Sequence, residues 1–141
     1  MHIETISAPD LSVPCGLPLF LARVPAGYPS PADDYMEDRL DLNRHLIKHP
    51  AATFFVRASG DSMIGAGIHS GDILVVDRSL EPGNNTVVIA AINGDLTVKR
   101  FMKTGGKLLL VPDNSRYRPI EIRDGMDFEV WGVATTVIHA L

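Results

Sequence analysis

From residue 53 onward, short runs of β-branched, aliphatic and aromatic residues alternate with Gly, Asn and Asp clusters. This punctuation leaves few architectures open. The runs cover residues 53–57, 72–77, 86–92, 96–101, 107–111 and 128–138. Each has the length and composition of a strand. Asn93-Gly94 separates two of them, and both residues tolerate the positive φ that a two-residue hairpin turn demands. The spacing predicts a compact, mostly β domain.

The front of the chain reads differently. Six of the ten prolines lie between residues 9 and 31. Proline fixes φ, lacks an amide donor and biases the preceding residue toward extended backbone. Residues 1–31 therefore read as an extended arm. Residues 33–49 are the one plausible helical stretch, with Leu42 and Leu46 at i, i+4, Asp41 as a cap and Pro50 as the stop. Its acidic residues Asp33, Asp34, Glu37, Asp38 and Asp41 read as a solvated helix face. The predicted organisation is an arm over residues 1–39 and a β domain over residues 40–141.

Composition narrows the function classes. A chain of 141 residues suits one domain. A net charge of −4 argues against a general nucleic-acid binder, which carries a basic face. The single cysteine, Cys15, makes no internal disulfide. The longest apolar run, residues 87–92, is far short of the roughly 20 residues of a membrane span. No basic segment followed by an apolar stretch opens the chain, so no signal peptide is expected. The expected location is the cytoplasm.

Two positions carry chemistry. Ser62 lies in Ala58-Ser59-Gly60-Asp61-Ser62-Met63, between two predicted strands. A serine in such a turn can expose its hydroxyl and leave backbone amides free, as a nucleophile and an oxyanion donor require. It can equally be a turn serine bonded to nearby backbone. Lys99 lies in a strand on which Thr97, Lys99 and Phe101 share one face. Burial there would lower its pKa and make the amine a base; the alternative is a lysine that snorkels to water. The histidines are scattered. His45 and His49, at i, i+4, lack the surrounding motif of a zinc site, so no metal is expected. No phosphate-binding glycine motif occurs, so no cofactor is expected. Trp131 reads as core.

The residues around Ser62 and Lys99 form a longer pattern. Residues 54–63, Gly67-Ile68, Gly71 through Asp77, and Thr97-Val98-Lys99-Arg100 resemble the LexA-type self-cleaving serine–lysine peptidases. Pro18-Leu19-Phe20, residues 27–35, Asp41-Leu42-Asn43 and His49-Pro50 make the likeness strongest to the UmuD-like mutagenesis branch. The likeness covers roughly residues 17–139, and the serine-to-lysine separation of 37 fits it. One loop departs, with Gly83-Asn84-Asn85 where the family usually has Gly-Asp.

The resemblance implies a catalytic β domain with an extended N-terminal arm and one or two short helices. It implies that Ser62 is the nucleophile, Lys99 the general base, and the backbone amides of Ser62 and Met63 the oxyanion donors. It places the cut bond at Ala26–Gly27, because Gly27 abuts Tyr28-Pro29-Ser30-Pro31; Cys15-Gly16 is the rival. It further implies a homodimer, promotion of cleavage by the RecA–single-stranded DNA filament, and a UmuC-like Y-family DNA polymerase subunit as partner. The repressor's helix-turn-helix has no counterpart, so no direct sequence-specific DNA binding is expected. The alternative is a non-cleaving polymerase-accessory module with the same fold.

Overall fold

A computed structural model describes residues 1–11, 16–20 and 36–141. Asn93 and Gly94 adopt φ of 48° and 87°, the paired positive values of a tight hairpin turn. They join β6 (Val87–Ile92) to β7 (Asp95–Thr104) in an unbroken antiparallel register. The other strands among the described residues are β1 (His2–Ser7), β2 (Gly16–Phe20), β3 (Met36–Asp41), β4 (Thr53–Ser59), β5 (Ile73–Asp77), β8 (Lys107–Val111), β9 (Ile120–Ile122) and β10 (Phe128–Ile138). The mostly β prediction holds, and all six predicted runs are strands.

The chain divides into two units: Asp10–Lys48, and Met1–Pro9 with His49–Leu141. The smaller unit pairs β2 with β3 and carries helix α1 (Leu42–Leu46). Asp41 caps α1 as expected, its carboxylate accepting the Asn43 amide at 2.9 Å. The one small helix expected within residues 33–49 is α1, but the acidic helix face read for it is corrected, because Glu37 and Asp38 stand in β3. Residues 36–41 use their backbone groups in the ladder to β2, which excludes helical bonds there. His49 consequently lies beyond the helix and shares no face with His45. Its Nδ1 instead meets Asp77 Oδ2 at 2.5 Å.

In the larger unit the strand order is β1-β4-β5-β10-β6-β7-β8-β9. One additional pairing, His2 opposite Thr97, joins β1 to β7 and closes six strands into a ring. Closure removes the free edges that an open sheet presents. The first strand, which the proline argument placed in an arm, is thus a stave of this barrel. Side chains alternate across the wall. Val56, Ala58, Leu74, Val76, Ile89 and Val98 fill one cluster with Met1, Met63 and Ile68. Val88, Ala90, Phe101, Leu110 and Val133 fill a second. Trp131 packs half-buried against the first, as expected. Each large aliphatic side chain fully buried this way contributes about 1.5–3 kcal/mol.

The strand β10 lies between β5 and β6 and breaks register once on each side, between Val130 and Gly132 and between Ala134 and Thr136. These bulges bend the strand and let one element serve both neighbours. Gly132 sits where β10 crosses Val76: a Cβ there would lie 2.7 Å from Val76 Cγ1 and 3.0 Å from the Asp77 carbonyl oxygen. Gly132→Ala is expected to destabilise the chain by about 1–3 kcal/mol through overpacking, measured as a lower urea midpoint with an unchanged slope.

Candidate active site

Ser62 stands three residues beyond the end of β4, in a turn tied down from several directions. The Gly60 amide donates to Ser70 Oγ at 3.2 Å. Asn114 Nδ2 donates to the Asp61 carbonyl at 2.9 Å, and the Tyr117 hydroxyl donates to the Asp61 carboxylate. Behind the serine, the Gly65 amide donates to the Asp113 carbonyl at 2.8 Å, and Asp113 is held by Arg100 Nε at 3.0 Å. The 113–117 segment therefore braces the serine turn from a distant part of the chain.

Lys99 comes from β7. Strand alternation sends Val98 into the first core cluster and puts Lys99 on the Thr97 side, as the sequence predicts. The amine does not snorkel. Lys99 is 6% exposed, Ser62 is 2% exposed, and Lys99 Nζ lies 3.1 Å from Ser62 Oγ. The same nitrogen donates to Thr97 Oγ1 at 2.9 Å and to the Val98 carbonyl at 3.1 Å. Burial pushes the Lys99 pKa down from 10.5, and the neighbouring terminal amine partly opposes that.

A third group reaches the serine. The Met1 terminal amine donates to Ser62 Oγ at 2.6 Å. Burial, followed by hydrogen bonding and repulsion from Lys99, pushes this amine down to about 5, while the Asp61 charge pulls the other way. The Met1 carbonyl accepts from the Val98 amide at 3.2 Å and from Thr97 Oγ1 at 3.0 Å. The backbone N–H groups of Ser62 and Met63 donate no hydrogen bond among the described residues.

The structure thus joins Ser62 and Lys99 and adds two residues that sequence reasoning missed. Thr97 carries a usable signal, because it lies two residues before Lys99 on the same strand face. Met1 carries none, since its contact spans 61 positions. Ala26, Gly27 and Cys15 lie outside the described residues.

A separate cluster was also not legible. His69, Asp72 and His139 gather nitrogen and carboxylate atoms within 4.8 Å. The buried Asp72 carboxylate accepts the His69 amide at 2.7 Å and meets His139 Nδ1 at 2.5 Å. Burial raises its pKa, but these bonds outweigh that and leave it below the usual value. With both oxygens engaged, Asp72 ties the residue after β10 to the turn before β5.

The arrangement can perform one kind of chemistry: a buried hydroxyl beside an amine that desolvation inclines to neutrality is suited to acyl transfer. The Peptidase S24-like family profile matches residues 18–135. Protein SamA of Salmonella typhimurium is 48% identical over 122 residues, which is 86% of this chain and 84% of that protein. Protein MucA of Escherichia coli is 38% identical over 136 residues, 96% of this chain and 92% of that protein. The LexA repressor of Shewanella denitrificans is 42% identical over 113 residues, 80% of this chain and 54% of the repressor. A profile match over residues 18–135, with relatives 48% and 38% identical across most of both chains, settles the family: the chain belongs to the Peptidase S24-like family.

Proposed function

We propose that this protein is a self-processing serine–lysine peptidase of the DNA-damage (SOS) mutagenesis response, which cuts its own Ala26–Gly27 bond. The observation that carries this reading is the 3.1 Å contact between Ser62 Oγ and Lys99 Nζ, both buried. In the proposed reaction, neutral Lys99 takes the Ser62 proton as Oγ attacks the Ala26 carbonyl carbon. The backbone N–H groups of Ser62 and Met63 hold the oxyanion. Lys99 then protonates the leaving Gly27 amine. Water, deprotonated by Lys99, hydrolyses the Ala26 ester on Ser62 and regenerates the hydroxyl. Residues 1–26 leave, and residues 27–141 remain. Small residues at the cut bond let the backbone approach the buried serine closely.

The biological setting follows from the same reading. The protein acts in the cytoplasm as a homodimer, and the RecA–single-stranded DNA filament promotes cleavage by favouring the arm-docked state. The trimmed dimer joins a UmuC-like Y-family polymerase subunit in translesion synthesis. Spacing favours Ala26–Gly27 over Cys15-Gly16. No helix among the described residues is long and apolar enough to cross a bilayer.

Purified protein incubated at alkaline pH is expected to yield a fragment beginning at Gly27, identified by mass spectrometry. Ser62→Ala and Lys99→Ala are each expected to slow its appearance by at least about 100-fold. Undiminished cleavage in either sinks the mechanism; an intact parent under alkaline and filament-stimulated conditions leaves the non-cleaving accessory module.

The pH dependence has a definite sign. The cleavage rate should rise with pH as Lys99 loses its proton and level off below the ordinary lysine value of 10.5. The same depressed pKa makes the buried amine a cost to folding, because the unfolded chain binds the proton more readily. That cost is full below the folded-state pKa and fades as pH rises through 10.5. Lys99→Met should therefore abolish cleavage yet raise neutral-pH stability by about 1 kcal/mol, with the gain shrinking as pH approaches 10.5 in calorimetric unfolding.

A further inference from the structure

The strand β1 occupies an unusual place. It pairs with β4, which leads into the serine turn, from His2 opposite Ser59 to Ser7 opposite Phe55. On its other side His2 meets Thr97, and the Met1 carbonyl accepts the Val98 amide. The first residues are thus an extended segment laid between the strand before the nucleophile and the strand that bears the lysine.

The segment ends on the nucleophile itself. The Met1 amine is 2.6 Å from Ser62 Oγ, and Met1 is 6% exposed. A reacting carbonyl must come to roughly 3–3.5 Å of that oxygen, into volume that Met1 now fills. The hydroxyl accepts from Met1 and from Lys99, so both of its lone pairs are engaged. The Lys99 amine spends its donors on Ser62, Thr97 and Val98. This is a covered, resting nucleophile.

The cover is held mainly by main chain. Along β1 only Ile3 is half-buried and the other positions are exposed, in contrast to the buried interiors of β5 and β6. The ladder breaks register between Ile3 and Thr5. Backbone donors and acceptors do not read sequence, so another extended segment can use the same β4 edge and the same Val98 amide. A stave with few buried side chains is also among the first elements to open.

We propose that the groove between β4 and β7 is a docking site for an extended polypeptide segment, and that residues 1–7 occupy it as a built-in competitor which the cleavage arm must displace. The proposal rests on the self-cleavage reading above and adds a regulatory step to it. Anything that draws β1 away frees the nucleophile; anything that fastens it holds the protein uncleaved.

The test fastens the strand reversibly in the full-length chain. His2→Cys with Ser59→Cys, in a Cys15→Ser background, places two cysteines at directly opposed ladder positions, within disulfide range. Self-cleavage at alkaline pH and phosphonylation of Ser62 by a fluorophosphonate are followed with the bond formed and after reduction. The locked form is expected to be at least about tenfold slower than the reduced form in both. Thr5→Pro, which disrupts the ladder opposite Arg57, is expected to be at least about twofold faster than the parent in both. Equal phosphonylation rates for locked and reduced protein, zero included, overturn the proposal, as does a folded Thr5→Pro chain that is phosphonylated more slowly than the parent. Should Thr5→Pro unfold, locked against reduced still decides. If no form cleaves but phosphonylation tracks the lock, the occupied groove stands and the self-cleavage reading falls.

Discussion

The lysine amine held out of water at Lys99 is the constraint around which the site is arranged. An ammonium removed from solvent is expensive unless it is fully hydrogen-bonded. Here Thr97, the Val98 carbonyl and Ser62 accept from it at 2.9–3.1 Å. None of these partners lies on a mobile surface loop. Two come from β7 itself, and the third is fixed by a turn that Ser70 and Asn114 hold. The result is an amine whose preference leans toward neutrality because its surroundings, not its own chemistry, disfavour the charge.

That burial depends on the closure of the barrel. Met1 and β1 complete the ring between β4 and β7, and Met1 also belongs to the first core cluster. The contact that keeps water from Lys99 is therefore the contact that covers Ser62. Removing the strand would expose Ser62 and rehydrate Lys99 together, unless another segment took the vacated place. A docked peptide that restores the dry environment while offering a carbonyl carbon meets both needs.

Elsewhere the scaffold supports the site through distant ties rather than local rigidity. Asp113 reaches both the Gly65 amide and Arg100, Tyr117 reaches Asp61, and Asp72 meets His139. Buried carboxylates at Asp72 and Asp77 remain depressed in pKa despite their burial, because each has donors on both oxygens. These ties link segments far apart in sequence.

Local patterning determined much of this protein. Strand runs, the Asn93-Gly94 turn, the Asp41 cap and the shared face of Thr97 and Lys99 all follow from propensity and period, which act over a few residues. The serine and lysine segments were legible as a family pattern, though nothing local distinguished a reactive serine from an ordinary turn serine. Tertiary structure decided the rest. Residues 36–41 became a strand because β2 offered a ladder, against the helical reading. His49 left His45 for Asp77, and His69 found His139 across Asp72. Above all, the first seven residues, which read as part of a loose arm, became the stave that closes the barrel on Ser62. Their sequence is too short and too polar to announce a strand; only the unpaired edges of β4 and β7, brought together by the folding of the other five staves, supply the hydrogen bonds that make it one.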